Sequence, residues 1–268
     1  MTADQNIKIR WINPVGIPDY DQSIAELICQ IKEPGTWVEV VSFDMKNSPR
    51  DLEYYAYEGL VASDIVRVAR DTAQNNFDGA VIGCFYDLGL REAQNISGST
   101  IITAPCLASL QTVSHLVNKF SIIVGQQSWV DQMEAKVHEY GYGRSLASLR
   151  PVGLGVQDFQ TDPEKTRQLM IEQAQIAIRK DHAEALILGC TIEYGFYSEL
   201  QEILGVPVID PVLASFKTIE HLANMKKRFG WKPGRIWGCK PPPEDDLQRF
   251  GIFDRPAPIG NRIEIPAL

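Results

Sequence analysis

The sequence has no apolar run near the roughly 18–20 residues a helix needs to cross a bilayer, so no membrane contact is expected. Basic residues are not in excess. Lys and Arg number 26 against 34 Asp and Glu, a net charge of −8, which argues against nucleic acid as a partner. Histidine is scarce and scattered (His115, His138, His182, His221), with no ligand-like spacing, so no metal site is expected. The five cysteines are an odd set without paired spacing, which disfavours a disulfide framework. Met1–Lys8 lacks the charged-then-apolar layout of a secretory signal, so the expected location is the cytoplasm. No GxxxxGK[ST] loop exists, and Gly153–Asp158 (GLGVQD) lacks the third glycine and the ribose-binding acid of a dinucleotide site. Neither a dinucleotide nor a phosphate-loop nucleotide is expected. What remains is a chain of 268 residues, 44% hydrophobic, long enough for one large α/β unit or two smaller halves.

The chain repeats itself. Residues 103–116 (TAPCLASLQTVSHL) and 209–222 (IDPVLASFKTIEHL) share 7 of 14 positions at an offset of 106. The same offset lays AVIGCFYDLGL (80–90) on LILGCTIEYGF (186–196), matching Gly83 with Gly189, Cys84 with Cys190, Asp87 with Glu193 and Gly89 with Gly195. Two stretches with one offset indicate a duplicated unit.

Short Val/Ile-rich runs predict strands at Ile7–Ile12, Trp37–Phe43, Gly79–Cys84 and Thr100–Thr103. A second set falls at Phe120–Val124, Leu146–Val152, Glu184–Cys190 and Val206–Asp210. Helices are expected between them. Leu52–Gln74 carries Leu60, Val61, Ile65, Val68 and Ala69 at one-face spacing. Glu164–Lys180 follows the cap pair Asp162-Pro163, and Ser128–Tyr140 opens on a candidate capping serine. Alternating strands and helices predict an α/β fold of two duplicated, Rossmann-like parallel-sheet domains related by pseudo-two-fold symmetry. The expected division is residues 1–104 plus 212–229, residues 105–211, and a Pro-rich extended tail at 230–268. Trp231, Trp237, Phe250 and Phe253 on that tail suit an interface, and a homo-oligomer is expected.

Ligands of parallel α/β sheets bind beyond the carboxyl ends of the strands, where both repeated cysteines fall. Gly83 and Gly189 precede them, allowing close approach, and exposed amides of the following turn favour a thiolate. Two thiols flanking one small molecule suit stereoinversion at carbon, one removing a proton and the other supplying one. A single Gly-Cys pair at a strand end is commonly packing; its recurrence at equivalent positions favours chemistry. Cys29, on an apolar helix face, and Cys239, in the tail, are taken as structural. Pro105 and Cys106 are read as pocket wall, with Phe85 beside the first thiol as a further substrate contact. Asp87 and Glu193 either cap the helix after each turn or tune the thiols. Thr191 offers a hydroxyl and an amide to a substrate. Asn13, closing the first strand, and Gly125-Gln126, closing its second-half counterpart, either bind polar substrate atoms or make turns.

These motifs resemble the aspartate/glutamate/hydantoin racemase superfamily: IRWINP at the first strand, GCFYDLGL, LGCT, and the GVPVIDPV run, spanning roughly residues 7–226. The resemblance implies two similar α/β domains with the site in the cleft between them. It also implies a cofactor-independent isomerase whose two cysteines correspond to Cys84 and Cys190. CxxDxGL around Cys84 is most similar to the hydantoin and allantoin branch. No Arg or Lys lies within either cysteine motif to pair with a second carboxylate, so a 5-substituted hydantoin or related cyclic ureide is the expected substrate. An aspartate/glutamate-type amino-acid racemase is the alternative, with a maleate-isomerase- or decarboxylase-like enzyme, or a binding-only member, behind it.

Overall fold

The computed structural model describes residues 6–251 and 253–267, so Met1–Gln5 of the N-terminal reading lie outside the described residues. In chain order the first elements are β1 (Ile7–Asn13), α1 (Asp21–Ile31), β2 (Thr36–Phe43), α2 (Tyr55–Gln74), β3 (Gly79–Ile82), α3 (Leu90–Ile96) and β4 (Ile101–Thr103). There follow α4 (Pro105–Ser114), β5 (Phe120–Val124), α5 (Val130–Glu139), β6 (Leu146–Pro151), α6 (Pro163–Lys180), β7 (Ala185–Leu188), α7 (Tyr197–Leu204) and β8 (Val208–Ile209). The chain closes with α8 (Pro211–Phe229), α9 (Glu244–Phe250) and β9 (Ile259–Ile265).

The strands form two sheets, ordered β4-β3-β1-β2-β9 and β6-β5-β7-β8. Reading the second from its other end gives β8-β7-β5-β6, the order of the first sheet without β9, and every pair apart from β2–β9 is parallel. The repeat offset carries β3 onto β7 residue for residue and the start of α4 onto the start of α8. The sequence pattern accounts for this. GAVI, FSIIV and ALIL are buried at every residue, as central parallel strands covered on both faces must be. The edge strand β6 is only half-buried. The fold is therefore α/β with parallel sheets, built twice.

The chain divides into one unit of Met1–Gly83, Leu88–Thr103 and Phe216–Leu268 and another of Cys84–Asp87 and Ala104–Ser215. Compared with the boundaries expected from the repeat, Cys84–Asp87 and the start of α8 group with the second unit, and the tail groups with the first. The tail is the largest departure. Instead of running extended, it forms α9 and then β9, whose residues alternate in exposure as an edge strand's do. Seven prolines between positions 233 and 266 hid that short period-two pattern.

The tail also completes two buried polar networks in the first unit. Arg10, buried in β1, bonds Glu39 at 2.5 Å, Asp71 at 2.6 Å and Thr72 at 2.8 Å, and Arg262 of β9 takes the other oxygen of Glu39. Asn261 of β9 donates to Asp21 at 2.8 Å. Trp231, Trp237 and Phe250 stay largely exposed, while Phe253 receives the Arg70 guanidinium 4.5 Å from its ring centre.

Three smaller expectations need correction. Leu60 faces outward on α2, because the buried stripe runs through Val61, Ile65, Val68 and Ala69. Cys29 is likewise exposed on α1, next to the buried Ile28. Ser128 does not cap α5; it lies in a 3₁₀ turn, Gln127–Trp129, that leads into the helix without a side-chain cap. Asp162 does cap α6, accepting from the Lys165 amide at 3.1 Å.

Candidate active site

Cys84 and Cys190 each stand just past a glycine at the carboxyl end of a central strand, β3 and β7. Their turns are built alike. Gly83 N–H donates to the Ile12 carbonyl and Gly189 N–H to the Ile123 carbonyl, both at 2.7 Å. The acid three residues on closes each turn through its own amide: Asp87 onto the Cys84 carbonyl at 3.0 Å, Glu193 onto that of Cys190 at 3.1 Å. Gly89 and Gly195 follow at φ +63° and +88°, a region that strains residues with a side chain.

The glycines before the cysteines serve packing. A Cβ on Gly83 would lie 2.7 Å from the indole nitrogen of Trp11, and one on Gly189 would lie 2.6 Å from the Ile123 carbonyl oxygen. Either would force the strand end apart. Both thiols are half-buried, whereas Cys29 and Cys239 are exposed. Cys106 has no exposed surface, and burial, followed by the neighbouring Asp87 charge, pushes its thiol well above the ordinary range. Half-buried thiols can meet a ligand and still be shielded from bulk water. Burial at Cys106 denies its thiol that access.

Asp87 is a cap, but not of the helix that follows it. Its carboxylate accepts from the amides of Cys106 and Leu107, both at 2.8 Å, at the start of α4. Tyr140, just past α5, adds its hydroxyl at 2.9 Å. The N-cap position of α4 is Ala104, which has nothing to offer the free amides, so Asp87 supplies the acceptor from 19 residues upstream. Burial raises the Asp87 carboxyl to about 7, against the pull of the two amides and Tyr140.

The second half solves the same problem locally. Asp210 precedes α8 and accepts from Val212 at 2.8 Å and Leu213 at 3.2 Å through one oxygen. Burial raises it to about 6, with the Leu213 and Val212 amides opposing. Glu193 is thereby left over. It is fully buried, and neither carboxyl oxygen has a hydrogen-bond partner. Burial drives its proton affinity well above the carboxylate range; the Cys190 and Gly189 amides pull it back and the Asp210 charge adds to the rise.

The remaining candidates are placed as follows. Asn13 is buried with both ends engaged: its oxygen accepts from Trp11 Nε1 at 2.6 Å and its amide donates to Asp21 at 2.5 Å. It braces the end of β1 by these bonds. Gly125 is pinned beneath Trp129, whose ring a Cβ would meet at 2.3 Å, and its carbonyl accepts from Gly153 and Leu154. Gln126 is half-buried and its carbonyl accepts from the Trp129 amide at 3.1 Å. Phe85 and Thr191 are buried beside their respective cysteines, and Pro105 is buried at the first position of α4. Among the described residues, no group of three or more His, Cys, Asp or Glu is placed to hold a metal ion. No helix among them is long and apolar enough to cross a membrane.

Sequence reasoning missed Tyr140 and Asp210. Tyr140 gave no signal, because its partner lies 53 residues away. Asp210 did: the repeat aligns it with Ala104, and a gained acid at a helix N-cap frees whichever group capped that helix before.

Comparison with known proteins agrees with this architecture. A solved allantoin racemase from Klebsiella pneumoniae superposes with a TM-score of 0.82 at 22% identity, covering 89% of this chain and 95% of its own. A glutamate racemase from Francisella tularensis gives 0.58 at 18%, covering 84% and 83%. These likenesses bear on the fold. In sequence, the hydantoin racemase of Pseudomonas sp. (strain NS671) is 28% identical over 222 residues, 83% of this chain and 88% of that protein. That of Rhizobium meliloti is 29% identical over 214 residues, 80% and 88%. The family model for Asp/Glu/Hydantoin racemase matches residues 9–219, from β1 into α8 and through both cysteine turns, and the chain accordingly belongs to that family.

Proposed function

We propose that this chain is a cofactor-independent racemase that inverts a carbon-bound proton with Cys84 and Cys190 as acid and base. The observation that carries the reading is the recurrence of one turn, Gly-Cys-x-x-acid closed onto the cysteine carbonyl, at the ends of β3 and β7 with a half-buried thiol in each. Membership of a racemase family supports the reaction class. One thiolate takes the proton from the stereocentre, leaving an enolate stabilised by the adjacent carbonyl. The other thiol then delivers a proton to the opposite face. An ordinary thiol loses its proton near pH ~8.5, so a modest fall gives usable thiolate at neutral pH.

The substrate we propose is a 5-substituted hydantoin or related cyclic ureide. Its flanking carbonyl acidifies the α-proton enough for a thiolate, and it needs no cationic partner for a second carboxylate. Neither cysteine motif contains an Arg or Lys. The curated relatives named above are hydantoin racemases, which favours the same class. We further propose a homo-oligomer, on the strength of the exposed Trp231, Trp237 and Phe250; light scattering that returns a monomer would remove that part.

In deuterated water, wild type is expected to wash deuterium into the α-position of both enantiomers of a 5-substituted hydantoin. Cys84→Ser and Cys190→Ser should each lower racemisation by roughly 10²–10⁴-fold. Wild-type rates in both single variants would defeat the two-base reading. Loss of optical rotation with free amino acids, and none with hydantoins or allantoin, would move the substrate to the amino-acid class.

A further inference from the structure

Duplication gave both halves an acid three residues after the cysteine, but only one of the two is occupied. Asp87 is held by three donors from α4 and Tyr140. Glu193 does not have the equivalent role, and it is Asp210 that accepts from Val212 and Leu213. Both oxygens of Glu193 and the second oxygen of Asp210 are buried without a hydrogen bond of good geometry, although the Gly189 and Cys190 amides bear on Glu193 and the Gly195 amide on Asp210. Buried polar atoms in this condition are rare and destabilising unless they serve a purpose.

We infer that Glu193 is a positioning residue for Cys190: a buried carboxyl seated against the Gly189–Cys190 peptide, available there because Asp210 answers the amides of α8. The inference rests on the reading of Cys190 as an acid/base. Three observations meet here. Glu193 closes the cysteine turn through its own amide, at 3.1 Å from the Cys190 carbonyl oxygen. Its carboxyl faces the Gly189 and Cys190 amides and the like-charged Asp210. Gln160, a neutral side chain, braces the turn by donating to the Ile192 carbonyl at 2.7 Å, and Thr191 is buried within it.

The consequence is electrostatic. With Glu193 protonated, Cys190 can lose its proton without a neighbouring anion opposing it. An ionised Glu193 would raise the proton affinity of the thiol. Burial, and after it the Asp210 charge, favour the protonated form of Glu193. In the first half the corresponding acid, Asp87, titrates at about 7. Above about pH 7 the acids of the two turns therefore differ in charge, which gives each turn a distinct place in a reaction that needs one acid and one base.

The test reads the thiol and not turnover. Iodoacetamide alkylation of Cys190, followed by peptide mass spectrometry across pH, gives its titration midpoint separately from that of Cys84. Asp210→Ala removes the like charge that raises the proton affinity of Glu193 and frees the Val212 and Leu213 amides, and so favours the ionised form of Glu193. Cys190 alkylation at pH 7 should then slow by about three- to tenfold, and the slowing should vanish when Glu193→Gln is added. An equal effect of Asp210→Ala in both backgrounds would overturn the inference. Should Asp210→Ala fail to fold, Glu193→Gln alone decides: the Cys190 midpoint should hold, and a fall of about half a pH unit or more would mean Glu193 is normally charged and end the proposal. Failure here leaves the two-base reading standing, because that reading depends on the cysteine variants and deuterium incorporation.

Discussion

At the Cys84 turn the acid reaches across to another helix, while at the Cys190 turn the equivalent acid reaches none. Both turns close through the same hydrogen bond, but the acids differ in backbone, Asp87 being left-handed at φ +52° and Glu193 lying in a 3₁₀ turn, and the helix that each could cap differs too, with alanine at position 104 and aspartate at 210. A helix N-terminus presents amides that need an acceptor, and either a local N-cap or a distant carboxylate will do. Once the second half had a local cap, the constraint on its distant acid lapsed. The comparison shows that equivalent acids of a duplicated turn can be left with different partners.

Removing the two acids is the most direct way to break the comparison, because the effects should have opposite signs. Asp87→Ala strips the acceptor from two buried amides and the Tyr140 hydroxyl, and should destabilise the protein by about 3 kcal/mol in urea unfolding. Glu193→Met, close in size and apolar, removes a buried carboxyl with no hydrogen-bond partner, and should leave stability unchanged or raise it by about 1 kcal/mol. Equal losses in the two variants would show that Glu193 has a structural bond of its own. The comparison can also be sharpened by building the second solution into the first half. Ala104→Asp supplies α4 with a local cap and should recover about 1 kcal/mol of the Asp87→Ala loss. No recovery would mean that Asp87 acts through Tyr140 more than through the amides of α4.

Much of this was legible in the sequence, and the reasons are local. The Val/Ile runs of β3, β5 and β7 can only be buried strands, and the offset of 106 tied both cysteines to equivalent strand ends before any coordinates. What was not legible depends on contacts between distant residues. Asp87 was expected to cap its own helix, but the left-handed backbone there, φ +52°, puts it outside that helix and its carboxylate bonds residues 106 and 107. Asn13 was read as either a substrate contact or a turn residue; its partners Trp11 and Asp21 are close in sequence, but their residue types do not announce the bonds. Strand β9 was hidden for a different reason: an edge strand of seven residues in a proline-rich stretch has too short a pattern to stand out, although Asn261 and Arg262 tie it into the first sheet.

The pH dependence of stability sharpens the comparison by the smallest margin, and its sign follows from the direction of the shift. Asp87 has an ordinary value of 3.8 and is raised to about 7 by burial. Between those limits the folded state keeps a proton that the unfolded state has released, so the contribution of Asp87 is greatest at low pH and declines as pH rises through the window. Above about pH 7 both states are ionised and the decline stops. Across the interval from pH 6 to 8 the fall should be about 1 kcal/mol. Asp210, raised to about 6, declines in the same sense but levels off earlier. Glu193, raised further, continues the decline at higher pH. Subtracting the profile of Asp87→Asn from that of wild type isolates one acid from the other two. A difference that is flat between pH 6 and 8 would mean Asp87 stays ionised as an ordinary capping carboxylate. The two turns would then differ in the charge of their acids across the whole neutral range, and not only above about pH 7.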